Sequence, residues 1–397
     1  MNGAYGNLSF RAPDPSWSLW KHCLDYAAAT DLGLRRANNQ DNLAVMLASS
    51  QEEFQHRGHL FLVADGMGAH AAGELASKIA ADEVPLTYLK HPARNPGEAL
   101  RAAIEQANQK IHVRGQESED FQGMGTTISA LALLPQGALV AHVGDSRVYR
   151  LRGNLLEQLT FDHSLAWELH RDQPKTEISP GIPKNIILRS LGPRPTVEVD
   201  LEGFYPLEPG DTFLVCTDGL SGPVANEEIG VLLQCLPPKE ALRAFVDLAN
   251  LRGGPDNITG IVVQVTGPMQ LAEQGSSRPS AKKPRSQASG SGGLWSKLFG
   301  WIFGPRVGKG KRWGEGPYQR FECIPGPAVA NTLQKVVQEL RTAAANSQWQ
   351  IDWDAFNRCE SAGQAAVQNN QFPQAVQYFA KAMMDMMDQL RQQRPKS

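Results

Sequence analysis

Between residues 24 and 266, short β-like runs occur in clusters and helical stretches occur in pairs. The runs are rich in Val, Leu and Ile and are bounded by Gly, Asp or Pro, as strands usually are. We predict strands at Leu43–Leu47, Leu60–Ala64, Thr127–Leu133, Leu139–Val143, Val148–Leu151, Val197–Phe204, Phe213–Cys216 and Ile258–Val265. We predict helices at Ala71–Leu89, Pro96–Arg114, Glu227–Cys235 and Lys239–Leu251. Because strands and helices do not alternate one by one, the pattern favours an α+β fold with largely antiparallel sheets over a doubly wound parallel fold.

The distribution of charge divides the 397 residues into parts. Residues 24–266 carry 20 basic and 31 acidic residues, whereas residues 267–320 carry 10 basic and 2 acidic ones. The formal net charge of −2 argues against a protein that coats nucleic acid with its whole surface. We predict a flexible N-terminal arm at 1–22, a folded domain at 23–266, a basic low-complexity linker at 267–322 and a small all-α module at 323–397.

The cysteines and the apolar runs indicate the compartment. The five cysteines are scattered and lack a C-x-x-C pair, so neither a disulfide framework nor a zinc knuckle is predicted. The N-terminus has no basic segment followed by an apolar run, and the longest apolar stretch is far shorter than the roughly 20 residues of a spanning helix. We therefore expect a cytoplasmic protein.

Several predicted strands begin or end at an aspartate. The run Leu60–Ala64 leads into Asp65-Gly66, and the run Phe213–Cys216 leads through a threonine into Asp218-Gly219. Asp41 and Asp256 each lie two residues before another predicted strand. Any one Asp-Gly pair could be a plain turn. Four carboxylates at strand ends together favour a site for a hard cation, Mg²⁺ or Mn²⁺, which prefers oxygen ligands.

Eight motifs, in order along the chain, resemble the bacterial form of the metal-dependent Ser/Thr protein phosphatases of the phosphatase-2C type. They are Arg36-Ala37-Asn38-Asn39-Gln40-Asp41, Val63-Ala64-Asp65-Gly66-Met67-Gly68-Ala69-His70, Gly125-Thr126-Thr127, Gly144-Asp145-Ser146-Arg147-Val148-Tyr149, Thr160-Phe161-Asp162-His163-Ser164, Leu188-Arg189-Ser190-Leu191-Gly192, Thr217-Asp218-Gly219-Leu220 and Asp256-Asn257-Ile258-Thr259. The resemblance implies a four-layer αββα sandwich with helix pairs on both faces. It also implies hydrolysis of phosphoserine and phosphothreonine in proteins by a metal-activated water.

The resemblance also implies a role for each site residue. An aspartate like Asp65 bridges two Mn²⁺ or Mg²⁺ ions. Residues like Asp218 and Asp256 hold the first ion, and the carbonyl of a residue like Gly66 helps to hold the second. Asp41 resembles the acid that contacts metal directly or through water, and Asp145 with Asp218 resembles the pair that binds a third, weaker ion. Arg36 resembles the arginine that grips the phosphate, a role that its fork of N–H donors suits.

Three residues depart from the pattern of many eukaryotic members. Gln40 stands in place of a glutamate, Met67 in place of a histidine that can protonate the leaving group, and Ala69 in place of a glycine. A thioether has no proton to donate, so the general acid stays open. The substrates are expected to be phosphoproteins, with a Ser/Thr kinase as the opposing enzyme. The alternatives are a phosphoprotein-binding scaffold with a weak or inactive phosphatase fold and a metal-dependent nuclease, which the acidic domain disfavours.

The last 130 residues contain two further features. Between 278 and 312 there are nine Lys or Arg and no Asp or Glu, and 294–304 places Leu, Trp, Phe and Ile on one helical face. Such a segment could bind an anionic membrane surface, a partner or the chain's own acidic domain, or be a plain linker. Beyond it we predict helices at Val329–Ala345, Trp353–Asn369 and Pro373–Leu390. The last two resemble one tetratricopeptide unit, with an ordinary helical hairpin as the alternative, and indicate protein docking through 323–397.

Overall fold

The computed structural model describes residues 23–68, 71–170, 186–268 and 316–393. The strands in these ranges are β1 Leu24–Asp31, β2 Asp41–Met46, β3 His59–Met67, β4 Gly125–Thr126, β5 Ile128–Leu134, β6 Gly137–Val143, β7 Arg147–Arg152, β8 Leu155–Gln158, β9 Asp200–Tyr205, β10 Thr212–Cys216, β11 Ile258–Val265 and β12 Gln319–Glu322. The helices are α1 Gln51–Arg57, α2 Ala72–Lys90, α3 Pro96–Gly115, α4 Leu165–His170, α5 Asp218–Ser221, α6 Asn226–Cys235, α7 Pro238–Leu251, α8 Pro327–Asn346, α9 Trp353–Gln368 and α10 Phe372–Gln393.

The strands form two antiparallel sheets. The first has the order β1-β11-β10-β7-β8-β12, and the second has the order β2-β3-β5-β6-β9 with β4 paired to β3. In the first sheet, the last strand of the predicted folded domain, β11, lies between β1 and β10. Strand β1 therefore joins the first sheet only through β11, so the first and last strands of that domain must pair.

The two sheets pack face to face and are covered by helices on both outer faces. The sequence of strand β3 is a continuous apolar run because both of its faces are buried. Phe61 and Val63 point into the core between the sheets, whereas Leu60 and Leu62 point to the opposite face, where they share a core with α2 and α3. Helices α6 and α7 cover the outer face of the first sheet. The predicted α+β fold with a four-layer αββα sandwich and a C-terminal helical region is confirmed.

The C-terminal helices form a further layer on α6 and α7. Val329 and Leu333 of α8 and Phe379 and Met383 of α10 belong to the same buried cluster as Phe245 of α7. Helix α10 contacts both α7 and α6. The hydrophobic core therefore continues from the sandwich into the C-terminal helices.

One part of the predicted linker is ordered into the sandwich. Residues 319–322 were expected to lie in the linker at 267–322, but they form the edge strand β12 beside β8. Phe321 faces Leu156 in that pairing, and Cys323 packs against Gly230 of α6. The expectation was wrong here because a four-residue strand with a single apolar residue has no sequence signal of its own and is fixed by its partner strand.

Other predictions lie outside the described residues. They are the N-terminal arm at 1–22 and the amphipathic segment 294–304. The tetratricopeptide-like nature of α9 and α10 stays a prediction. Across the ranges that the structure covers, we find no helix with the length and apolar character that crossing a membrane requires.

Candidate active site

The aspartates singled out in the sequence lie at one end of the sandwich. Asp41 and Asp65 face each other where β2 pairs with β3. Asp218 follows β10 and Asp256 precedes β11, and the ends of these two strands are paired at Cys216 and Gly260. Asp145 lies in the turn between β6 and β7, and Cys216 also pairs with the first residue of β7. Both sheets therefore supply acids to the same place.

These carboxyl groups interact electrostatically. Burial raises the pKa of Asp65 well above its usual range, and the charges of Asp41, Asp218, Asp145 and Asp256 raise it further. Burial likewise raises the pKa of Asp41 to about 7, against hydrogen bonds from two threonines, and the pKa of Asp145 to about 8. The pKa of Asp218 is raised by burial and then by Asp256. The cluster therefore needs positive charge before all its members can ionise.

The backbone around Asp65 is fixed by threonines of the second sheet. Its N–H donates to Oγ1 of Thr127 at 3.0 Å, and its carbonyl accepts from Oγ1 of Thr126 at 2.9 Å. Thr127 Oγ1 lies 2.7 Å from Ser146 Oγ, next to Asp145. These bonds leave the Asp65 carboxyl to face the other acids on a rigid support.

A second threonine set joins the two sheets. Thr217, directly before Asp218, donates from Oγ1 to Oδ2 of Asp41 at 2.9 Å and accepts from the N–H of Thr259 at 3.1 Å. One hydroxyl therefore holds an acid of the second sheet beside the strands of the first. Thr217 and Thr259 stand in the sequence only as members of motifs. The sequence does not predict that they link the two sheets, because no local pattern shows such a contact.

Two glycines in the site have no room for a side chain. A Cβ at Gly66 would lie 2.1 Å from the carbonyl oxygen of Gly73 and 2.5 Å from that of Gln40. A Cβ at Gly219 would lie 1.9 Å from the carbonyl oxygen of Asn257. The second contact brings the Asp218 turn against the Asp256 loop, so the glycine is needed for these two acids to meet.

Gly219→Ala should therefore separate Asp218 from Asp256. We expect the affinity for Mn²⁺ to fall about 10- to 100-fold, as it does when ligand supports are lost, with a stability loss of about 1–3 kcal/mol from overpacking. Calorimetric titration of the metal-free variant measures the first effect and thermal unfolding the second. Gly267→Ala is the control, because its Cβ would meet Cys23 at an ordinary 3.8 Å. Unchanged Mn²⁺ affinity in Gly219→Ala would contradict the assignment.

The residues fit hard cations by their chemistry. All the candidate ligands are oxygen donors, and Oδ1 of Asp145 and Oδ1 of Asp218 are buried without a hydrogen-bond partner. Such orphaned carboxylate oxygens are what Mg²⁺ and Mn²⁺ bind. Among the described residues, no group of three or more His, Cys, Asp or Glu side chains has the arrangement that holds a metal ion. Asp218 and Asp65 instead lie close enough for their carboxyl groups to interact, and Asp256 is held by an arginine.

That arginine is Arg36. Its Nη2 donates to Oδ2 of Asp256 at 2.6 Å, and the two side chains are 49% and 31% exposed. Arg36 therefore lies at the open rim of the acid cluster, where its remaining donors can reach a ligand from solvent. Its carboxylate partner belongs to the cluster itself, which links the rim to the proposed metal ligands.

Of four other residues from the quoted motifs, the structure describes Met67 and His163. Met67 lies at the end of β3, where it pairs with Gly125, and His163 is buried, with Nε2 at 3.0 Å from Oδ2 of Asp200 and Nδ1 accepting from the N–H of Gly144. His163 thus supports the Asp145 turn. Ala69 and His70 lie outside the described residues.

Comparison with known proteins identifies the family of this chain. A family model described as protein phosphatase 2C matches residues 35–250. A putative protein phosphatase 2C-type of Streptococcus pyogenes is 39% identical over 238 residues, covering 58% of this chain and 93% of the relative. The solved serine/threonine phosphatase of S. agalactiae is 36% identical with a TM-score of 0.55, covering 61% of this chain and 99% of that one. The catalytic domain of the serine/threonine phosphatase PstP, solved with two manganese ions, is 33% identical with a TM-score of 0.52, covering 62% and 99%.

The chain belongs to the protein phosphatase 2C family and is a metal-dependent serine/threonine protein phosphatase. Mn²⁺ or Mg²⁺ is the cofactor of this family. Its substrates are phosphoproteins. The family model ends within α7, so the C-terminal helices α8–α10 are additional to it.

Proposed function

We propose that the acid cluster of this chain binds two Mn²⁺ or Mg²⁺ ions, with a third, weaker ion at Asp145 and Asp218, and hydrolyses phosphoserine and phosphothreonine there. The observation that carries the proposal is the meeting of five mutually repelling aspartates from both sheets, two of which have orphaned buried oxygens. Bound divalent cations would lower the pKa of a water and supply a hydroxide nucleophile at neutral pH.

The residues would divide the work as follows. Asp65 lies among the other acids and would bridge the two ions. Asp218 and Asp256 would hold the first, while the carbonyl of Gly66 would help to hold the second and Asp41 would contact metal directly or through water. Arg36, at the rim, would bind and orient the phosphate through its N–H donors and offset the charge that builds on its oxygens.

Turnover of a phosphopeptide tests this function. We expect the full chain to release inorganic phosphate from phosphoserine and phosphothreonine peptides in the presence of Mn²⁺ or Mg²⁺, and chelation to abolish the release. The readout is phosphate liberated per enzyme, compared with a phosphotyrosine peptide of the same sequence. Binding of the peptide without metal-dependent release would indicate the alternative, a phosphoprotein-binding scaffold with an inactive phosphatase fold.

The proposed partners and place of action rest on the phosphatase activity, the charge pattern and the helical tail. We propose that the opposing enzyme is a Ser/Thr kinase, that 323–397 docks proteins, and that the chain works in the cytoplasm without a nucleic-acid partner. The nine cations at 278–312 would hold it at an anionic membrane surface. Salt-sensitive co-sedimentation with phosphatidylserine vesicles, lost on deletion of 278–312, tests the membrane contact.

A further inference from the structure

A buried polar cluster lies where helix α10 meets α7, outside the acid cluster of the active site. The Asp247 side chain of α7 is fully buried, and Arg391 of α10 donates to its Oδ1. Arg243, one turn earlier on α7, donates to the carbonyl of Met384 at 2.5 Å and pairs with Asp388. Burial raises the pKa of Asp247 to about 6 against the charges of Arg391 and Arg243. The C-terminal helix is thus joined to α7 by buried charges as well as by apolar packing.

The cluster continues from α7 to the end of β1. Asn250, one turn after Asp247, donates from Nδ2 to Oδ1 of Asp31 at 3.0 Å. Both side chains are buried, with residue exposures of 4% and 6%. Asp31 also lies close enough to Arg391 to interact with its charge. Arg391 therefore interacts with one acid of α7, Asp247, and with one acid of β1, Asp31.

From Asp31 the contacts run directly to the loops of the active site. Oδ1 of Asp31 also accepts from the N–H of Gly33 at 2.9 Å, and Gly33 is so close to the Asp256 loop that a Cβ there would lie 2.1 Å from the carbonyl oxygen of Asp256. The N–H groups of Leu34 and Arg35 donate to the carbonyl of Gly254 at 2.9 and 3.2 Å. Two loops are thereby fastened together, one leading to Arg36 and one to Asp256.

We propose that Asp31 and Asn250 are positioning residues that hold the Arg36 and Asp256 loops in register, and that helix α10 sets this register through the Arg391–Asp247 pair. The inference rests on the proposed roles of Arg36 and Asp256. Under it, helix α10 is part of the support of the phosphatase site. Neither positioning residue touches metal or phosphate, so each acts only through the loop it holds.

The test uses the full chain with Asn250→Ala, Arg391→Met and Arg391→Lys. Two properties of the metal-free protein are measured: the affinity for Mn²⁺ by calorimetric titration, and the hydrogen exchange of the Leu34 and Arg35 amides that bond to Gly254. We expect Asn250→Ala and Arg391→Met to weaken Mn²⁺ binding about 10- to 100-fold, as lost supports of metal ligands do, and to speed exchange at both amides. Arg391→Lys keeps the charge and should restore part of the affinity.

Two control variants separate positioning from general stability. Val337→Ala removes buried apolar atoms from α8 and should lower the melting temperature without changing Mn²⁺ affinity. Lys381→Ala breaks an exposed ion pair with Asp385 on α10 and should change neither. If Val337→Ala weakens Mn²⁺ binding as much as Arg391→Met does, the effect is loss of stability and the proposal fails.

Asp256→Asn shows which of the two proposals fails. If it binds Mn²⁺ as the unchanged protein does, the proposed metal site is wrong. If it loses Mn²⁺ while Asn250→Ala and both Arg391 variants keep full affinity and slow exchange, only the positioning role is wrong. Should Arg391→Met not fold, Asn250→Ala and Arg391→Lys still give one of these outcomes.

Discussion

Asp65→Asn should abolish phosphate release while leaving the fold intact. The residue lies among four other acids, and its loss removes the charge proposed to bridge two cations, so we expect turnover to fall about 10³-fold or more, as when an essential catalytic group is removed. The metal-free variant should be as stable as the unchanged protein or more stable, because one of several buried, mutually repelling carboxyl groups has become neutral. Its amide can still donate a hydrogen bond to Asp218. Mn²⁺ should raise its melting temperature by less than it raises that of the unchanged protein.

Asp211→Asn is the matched control for Asp65→Asn. Asp211 is also a buried aspartate, but it precedes β10, at the opposite end of the strand from Asp218, and accepts from Nε of Arg152 at 2.7 Å. A five-residue strand places it about 17 Å from the acid cluster. This variant should lose stability and keep Mn²⁺-dependent turnover per folded molecule. Full activity in Asp65→Asn would refute its role.

Arg36→Ala should raise the KM for a phosphopeptide far more than it weakens metal binding. A charged contact to phosphate lost at a partly desolvated site costs about 2–4 kcal/mol, or about 30- to 1000-fold in kcat/KM. The structure also predicts the direction in which Mn²⁺ affinity changes. Because Arg36 donates to Asp256, its removal frees that carboxylate, so Mn²⁺ affinity should stay the same or increase.

The comparison that checks this is Arg36→Lys, which keeps a point charge without the fork of donors. It should recover part of kcat/KM and leave Mn²⁺ affinity as in the unchanged protein. A loss of Mn²⁺ affinity with unchanged KM would mean that Arg36 serves the metal site instead of the phosphate.

Much of the sandwich could be predicted from local sequence. Strand β11 was predicted with its observed bounds, Ile258–Val265, because it is apolar on both faces. Strand β1, Leu24–Asp31, was missed because three consecutive alanines have little strand propensity; its pairing with β11 makes it a strand. The four-residue strand β12 is likewise defined by its partner β8, which pairs with β7 on its other side. These segments are strands because they pair with neighbouring strands, and local propensity alone does not predict them.

The acids of the candidate site could be predicted from the sequence, but the contacts that hold their loops together could not. The motif order pointed to Asp41, Asp65, Asp145, Asp218 and Asp256, and the structure brings them together. The contacts of Arg36 with Asp256 and of Asn250 with Asp31 join residues more than two hundred positions apart. No local pattern encodes such pairs, since they depend on how β1 and α7 pack across the first sheet.

The placement of β11 between β1 and β10 has a consequence for the protein's synthesis. Asp256 and β11 come late in the chain, yet β11 joins β1 to β10 in the first sheet and Asp256 belongs to the proposed set of metal ligands. A ribosome-bound chain that lacks them would have β1 unpaired from β10 and would lack one of the proposed metal ligands, and metal binding is coupled to folding. We therefore expect cation binding and catalysis to begin together, after β1 and β11 have paired, and a nascent fragment without Asp256 and β11 to have no phosphatase activity.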